Sequence, residues 1–408
     1  MKIAFITPEF VTEPSYSGGL ANYLGRVTVA LAQRGHTVHI FTRSQTNEQL
    51  HFNGVTVHRV VPLWDQRMIV DHIDPLVPRD LYNPYQDLKA AWCLWRRWRE
   101  VHRQVNFDLV QVANVMAVGL FFRWENRIPI VTRMSSYRPF WDTAAGIQKT
   151  RGVKLRWFME KLAVKGTQWL YAPTYFVAGQ VQKGYGIPKV DVIETSFFVE
   201  ESGMEQSEPE AGHPEQATPG QPYLLYFGRM TQMKGVHILV EALPDLLKTY
   251  PEMAVFFAGG SGPAPTGQPM SEYITEQLKS FGDRVKVLPP MRHDKLYPLI
   301  KNAKAVVLPS LMDNLPNTCL EAMGLGKVVV ATTGSCFEQV IESGVSGILV
   351  SPKDAKALAE GVSKAWTLSD EDRHTMEERA KCSISKLHPD QAIPRLIEYY
   401  QSVINSAN

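Results

Sequence analysis

Cysteine is scarce: Cys93, Cys319, Cys336 and Cys382 are the only four in 408 residues, far apart and without a C-x-x-C pair. Neither a disulfide framework nor a zinc site is indicated, and this usage fits a reduced compartment. Long apolar runs are missing too, since none reaches the ~18 residues that a spanning helix needs. The N-terminus holds one lysine, a short β-like run and then Glu9 and Glu13, which is not a signal-peptide pattern. No Asn-x-Ser/Thr sequon occurs. The expected location is the cytoplasm. Excess charge is also lacking: 43 Lys+Arg against 41 Asp+Glu leave +2, so bulk electrostatics predict no nucleic-acid partner. Several chemical fingerprints are absent. No G-x-G-x-x-G follows the first strand, and Gly324-Leu325-Gly326-Lys327 is only a fragment of a phosphate-binding P-loop. H-E-x-x-H and G-x-S-x-G do not occur.

What is present is ordinary globular material, 44% hydrophobic and 21% charged, in a length that predicts two or three domains. The first half alternates strand and helix. The run 2–7 reads as a strand, the loop Ser17-Gly18-Gly19 follows, and Leu20, Tyr23, Leu24, Val27 and Leu31 make a helical stripe that stops at Gly35. Further strand-like runs lie at 36–42, 55–60, 108–112, 128–133, 169–172 and 190–193. The segment 200–222 holds six Glu and four Pro with no Lys or Arg, and reads as a linker. A second series follows, with strands at 223–227, 254–258, 285–288, 305–308, 328–332 and 348–350, and helices at 236–249, near 271–281 and from about Asn317. Strand alternating with helix predicts parallel sheets covered on both faces. The fold class is therefore α/β, with two Rossmann-like domains at 1–199 and 223–385. The stretch 386–408 is an amphipathic helix that either closes the second domain or packs back on the first.

Ligands of open α/β sheets bind beyond the carboxyl ends of the strands, so the strand-end residues matter most. The strand 223–227 ends at Gly228-Arg229-Met230-Thr231-Gln232-Met233-Lys234-Gly235, where two cations flank a helix start. Such an elbow suits a diphosphate, although a surface loop with two solvated cations has the same composition. The strand 305–308 leads to Asp313-Asn314-Leu315-Pro316-Asn317-Thr318-Cys319-Leu320-Glu321. Here two carboxylates border one site, and the amides of Leu315, Pro316's neighbours and Thr318 open a helix. Taken singly, Asp313 reads as a turn residue and Glu321 as a solvated helix residue.

The stretches GRMTQMKGVHILVEAL, AGGSGP, LPSLMDNLPNTCLEAMGLGKVVVATTGS and EQVIESGVSGILVSPKD resemble the donor domain of family 4 retaining glycosyltransferases. The opening TPEFVTEPSYSGGLANYLGRVTVALAQRGHTVHIFT resembles the first strand, glycine loop and helix of the same family. The resemblance implies a GT-B fold, two facing Rossmann-like domains with a cleft between them, acting on nucleotide-sugars without a metal or other cofactor. It implies that Arg229 and Lys234 grip the diphosphate beside Gly228 and the amides near Leu315, Pro316, Asn317 and Thr318. Asp313 would serve the donor sugar, Glu321 the ribose, and Gly18 and Gly19 would admit phosphates or acceptor. Two departures stand out. Asp313 takes the place of the first Glu in the family's Glu-x7-Glu motif. The end of the strand 128–133 reads Arg133-Met134-Ser135-Ser136 where a His is common, so Arg133, Ser135 and Ser136 are the candidates for the acceptor or sugar side. The implied activity is transfer of a hexose-type sugar, with retention by same-face substitution, to a glycan, lipid-linked or small-molecule acceptor. Competing readings are a non-catalytic nucleotide-sugar-binding protein and a sugar-nucleotide epimerase on the same scaffold.

One further feature is basic and aromatic. Trp92, Trp95 and Trp98 alternate with Arg96, Arg97 and Arg99, either as a helix making peripheral contact with the inner face of a membrane or as a helix covering the first sheet. The second reading is the plainer one. The stretch 149–169 repeats the basic–aromatic composition.

Overall fold

The computed structural model describes residues 1–14, 19–63, 76–199, 221–314 and 317–407. The chain divides into two units, Met1–Ser196 with Pro389–Asn408, and Phe197–His388. Most of the expected linker 200–222 lies outside the described residues. Phe197 belongs to the second unit because its N–H donates to the Leu387 carbonyl at 2.8 Å and its ring is buried with Leu387.

The strands of the first unit are β1 (Lys2–Thr7), β2 (Thr37–Arg43), β3 (Glu48–Phe52), β4 (Val55–Val60), β5 (Leu109–Ala113), β6 (Ile130–Arg133), β7 (Trp169–Ala172) and β8 (Asp191–Val192). They form one sheet in the order β3-β4-β2-β1-β5-β6-β7-β8. All neighbours are parallel except β3 and β4, which form an antiparallel hairpin. The helices are α1 (Gly19–Gln33), α2 (Tyr82–Val105), α3 (Arg138–Ala144), α4 (Arg151–Lys165) and α5 (Tyr175–Tyr185), joined by the last helix of the chain, Pro389–Ala407. Successive residues of β1 point to opposite faces. Ile3 and Phe5 pack with Leu24, Val27 and Leu31 of α1 and with Ile393, Leu396 and Tyr400 of the last helix. Ala4 and Ile6 pack with Leu94, Trp98 and Val101 of α2.

That second packing decides the nature of α2. Trp98 is fully buried, and Trp92 and Trp95 lie half-buried against the same core. The Trp95 indole N–H donates to Glu125 at 2.8 Å, Arg99 lies over the Trp95 ring, and Arg96 and Arg97 pair with Glu100. The tryptophans are core residues here, and α2 is the covering helix of the plainer reading.

The second unit holds β9 (Tyr223–Phe227), α6 (Val236–Thr249), β10 (Ala254–Ala258), α7 (Met270–Gln277), β11 (Val285–Leu288), α8 (His293–Asn302), β12 (Ala305–Leu308), α9 (Asn317–Gly324), β13 (Val329–Thr332), β14 (Ile348–Val350), α10 (Ala355–Thr367) and α11 (Asp370–Ser385); the last helix of the chain is then α12. Its six strands are all parallel, in the order β11-β10-β9-β12-β13-β14. The helix expected near 271–281 stops at Gln277, and a 3-10 turn follows in which Gly282 takes φ 54, outside the helical region. Strand order reverses between β1 and β5 in the first unit and between β9 and β12 in the second. Those two switch points are where such sheets open a crevice for a ligand.

Candidate functional site

At the second switch point the chain leaves β9 through Gly228, whose φ of 121 is open only to glycine without strain. Its amide donates to the Ala258 carbonyl at 2.9 Å, and a Cβ on Gly259 would lie 2.0 Å from the Gly228 oxygen. The next residues are stitched to the strand end beside them. Met230 N–H donates to Gly260 O at 2.8 Å and Gly262 N–H to Met230 O at 2.9 Å. The Tyr226 hydroxyl, buried and held protonated by that burial and by nearby Asp313, donates to the Arg229 carbonyl at 2.7 Å. The Arg229 side chain is left exposed, with no hydrogen bond or ion pair among the described residues.

The loop then closes on the segment after β12. Gly235 caps α6 at φ 68, and a Cβ there would lie 1.8 Å from the Pro309 carbonyl oxygen. Leu311 N–H donates to Met233 O at 2.9 Å. These contacts bring together residues far apart in sequence: the Lys234 ammonium donates to a carboxylate oxygen of buried Asp313. The other Asp313 oxygen accepts from the Asn314 amide at 3.0 Å. A Cβ on Gly228 would meet the Thr318 methyl at 3.3 Å, so the start of α9 flanks the same elbow. Asn317 and Thr318 open α9, and Glu321 lies one turn in, mostly buried, 3.7 Å from His293 Nε2. Leu315 and Pro316 lie outside the described residues. Sequence reading overlooked Tyr226 and His293, neither of which belongs to a motif that names its role. The one available signal was position, at the end of a buried strand and at the start of α8.

In the first unit, Gly18 lies outside the described residues and Gly19 opens α1. The Ala21 amide of that helix is taken at 3.3 Å by Glu9, a carboxyl whose proton affinity burial raises. Arg133, the last residue of β6, is buried with no carboxylate partner among the described residues. Its guanidinium lies 3.7 Å from the Tyr23 ring centroid. It donates to the hydroxyls of Ser135 at 2.8 Å and Thr195 at 3.2 Å, while Nε finds no partner. Asn114 fixes the following turn, accepting from Ser135 N–H at 2.7 Å and donating to Ser136 O at 2.9 Å. A buried cation offset only by hydroxyls and a ring is unusual, since buried charges are normally paired.

Among the described residues, the site in the second unit therefore has one free cation, one cation–carboxylate pair and a helix start, all at a strand-order reversal. That set can hold an anionic, hydroxyl-rich molecule such as an activated sugar. Residues 209–382 match the family described as Glycosyl transferases group 1, and residues 17–197 match Glycosyltransferase Family 4. The solved structure of HepE from Anabaena in complex with UDP shares the fold at a TM-score of 0.69 and 17% identity, over 98% of this chain and 100% of that one. The protein is a glycosyltransferase built on the GT-B fold. Over 349 residues it is 26% identical to the D-inositol 3-phosphate glycosyltransferase of Nocardia farcinica, covering 82% of this chain and 74% of that protein. With the corresponding protein of Corynebacterium urealyticum the match is local, 29% identical over 181 residues, and spans 44% of this chain and 42% of that protein. The chain belongs to the family 4, group 1 glycosyltransferases.

Proposed function

We propose that the enzyme is a retaining hexosyltransferase, working without a metal, that moves a sugar from a nucleoside diphosphate donor to a glycan, lipid-linked or small-molecule acceptor. The observation that carries this reading is the meeting of Lys234 and Asp313 beside Gly228 and the start of α9. An ammonium has three N–H donors, so Lys234 can hold Asp313 and still reach a phosphate oxygen. Arg229 supplies the second charge. In the proposed reaction the bond from the anomeric carbon to the diphosphate breaks while the acceptor oxygen bonds to the same face. The acceptor proton passes to the departing phosphate oxygen, and Arg229 and Lys234 neutralise the charge left behind. Asp313 steadies the positive charge that grows at the anomeric carbon, and Glu321 holds the ribose. A double displacement would need an unengaged carboxylate nucleophile, whereas Asp313 is already tied to Lys234. Arg133, with Ser135 and Ser136, is assigned to the sugar or acceptor side in this reading.

The UDP complex of a protein alike in fold makes UDP-hexoses the first donors to try. In a donor panel scored by nucleotide release, Lys234→Ala and Arg229→Ala are each expected to lower turnover by orders of magnitude while the protein still folds. Arg229→Ala should keep the urea unfolding midpoint, whereas Lys234→Ala should lower it by leaving buried Asp313 without its ammonium. A chelator should leave turnover as it was. Near-normal rates in either variant remove that residue from the mechanism. The Arg133-Met134-Ser135 sequence in place of a His favours one rival, a non-catalytic nucleotide-sugar-binding protein, which would bind a donor tightly and release no nucleotide.

A further inference from the structure

The basic–aromatic stretch that α2 does not explain lies on α4. This helix buries Met159, Glu160, Ala163 and Val164. Its exposed residues are Arg151, Lys154, Leu155, Phe158, Lys161 and Lys165. At 3.6 residues per turn they share an arc of about 120° centred on Phe158. Phe158 is 54% exposed and Leu155 38%, and the loop entering the helix adds Ile147 at 44% and an exposed Lys149. Between 143 and 165 no exposed residue is acidic, because the only carboxylate there, Glu160, is buried. Arg151 pairs with Asp80 at 3.1 Å, whereas Lys149, Lys154, Lys161 and Lys165 have no ion pair among the described residues.

An aromatic ring left in water and ringed by cations of one sign is a poor surface for a freely dissolved protein. It suits a boundary that is negative at the phosphate level and apolar just beneath, which is the outer layer of an anionic bilayer. We propose that α4 and the loop before it dock on such a membrane, with Phe158 and Leu155 entering the headgroup boundary and the four unpaired lysines meeting lipid phosphates. Charge complementarity selects this occupant. No helix among the described residues is long and apolar enough to cross a membrane, so the contact is a surface one. The proposal stands apart from the transfer reaction, since none of these residues belongs to the donor site.

Flotation of the full chain with phosphatidylcholine vesicles and with vesicles enriched in phosphatidylglycerol tests it. Binding is expected only to the anionic vesicles and should weaken as salt rises. Lys154→Glu with Lys161→Glu should reduce it at least tenfold, as should Phe158→Ser with Leu155→Ser. Arg96→Ala with Arg97→Ala on α2 should leave it unchanged. The substituted residues of α4 and Arg96 are exposed and Arg97 is half-buried, and urea unfolding midpoints verify the fold of each variant without any ligand. The wild-type salt response gives a second readout that needs no variant. No binding to anionic vesicles, binding equal on neutral ones, or full binding by both α4 variants would overturn the proposal; an acidic protein partner would produce the first of these results.

Discussion

Gly235 shows how one residue can serve fold and site together. It lies directly after Lys234, at φ 68, with the Pro309 carbonyl where its side chain would be. A left-handed backbone costs a non-glycine residue roughly 1–2 kcal/mol, and forcing atoms into an occupied space adds about 1–3 kcal/mol. Gly235→Ala is therefore expected to lose about 2–5 kcal/mol in urea unfolding. If the site takes a nucleoside diphosphate as proposed, the change should also weaken that binding in calorimetry, because pushing Pro309 away parts the loop of Lys234 from the loop of Asp313. Gly267 is the control: its φ is 89, but nothing lies within 4 Å of a Cβ there. Gly267→Ala should lose only about 1–2 kcal/mol and leave nucleotide affinity unchanged. Equal effects at the two positions would show that the Pro309 contact does not shape the site.

At the level of elements, the elbow between β9 and α6 is aimed by a strand residue. Tyr226 is buried on β9, and its hydroxyl donates to the backbone oxygen of Arg229. Tyr226→Phe removes that hydrogen bond and leaves the carbonyl without its donor, a change of about 1–3 kcal/mol. If Arg229 binds the donor diphosphate, the KM for the donor should rise severalfold while kcat changes less; an unchanged KM would make Tyr226 a purely structural residue. Much of this arrangement can be read from sequence, and some cannot. The β9 and β12 runs are apolar throughout, as strands covered on both faces must be, so their ends and the loops beyond them are visible in the pattern. The hairpin strand β3 is not, because Glu48–Phe52 is mostly exposed and has no apolar run to mark it. The tryptophans of α2 leave two readings open for a related reason: a Trp–Arg alternation reads the same whether the rings face a core or a bilayer, and only the neighbouring Phe122 and Val112 decide. The Lys234–Asp313 pair joins positions 79 residues apart, and spacing alone could not bring them together. Family resemblance placed both in one site, but the setting of Arg133 among hydroxyls and the Tyr23 ring needed the structure.

Across the whole molecule, buried titratable groups pull stability in opposite directions as pH changes. His58, hydrogen-bonded to His39 at 3.0 Å and stacked on Phe41, is lowered from 6.5 to about 3 by burial first, then by His39, Arg97 and His51. Folded, it stays neutral where the unfolded chain would take a proton, so its contribution is complete above pH 6.5 and is lost as pH falls toward 3. Glu160 behaves in the opposite sense. Burial raises it from 4.5 to about 7, although Arg138 and the Met116 amide pull it partly back. The folded carboxyl keeps its proton where the unfolded one has lost it, so its contribution is complete below pH 4.5 and is lost as pH rises to 7. Each slope approaches ~1.4 kcal/mol per pH unit, and between 4.5 and 6.5 they oppose each other. The wild-type unfolding free energy should change little across that window. Glu160→Gln keeps the neutral shape and removes one slope, so its stability relative to wild type should climb steadily as pH rises from 4.5 to 7. His58→Gln should do the reverse, gaining on wild type as pH falls below 6.5. Urea unfolding at several pH values measures both differences. Variant curves running parallel to the wild-type curve would mean that neither group titrates as its burial requires, and that the balance lies with other carboxylates such as Asp87, also raised by burial against its partner Arg156.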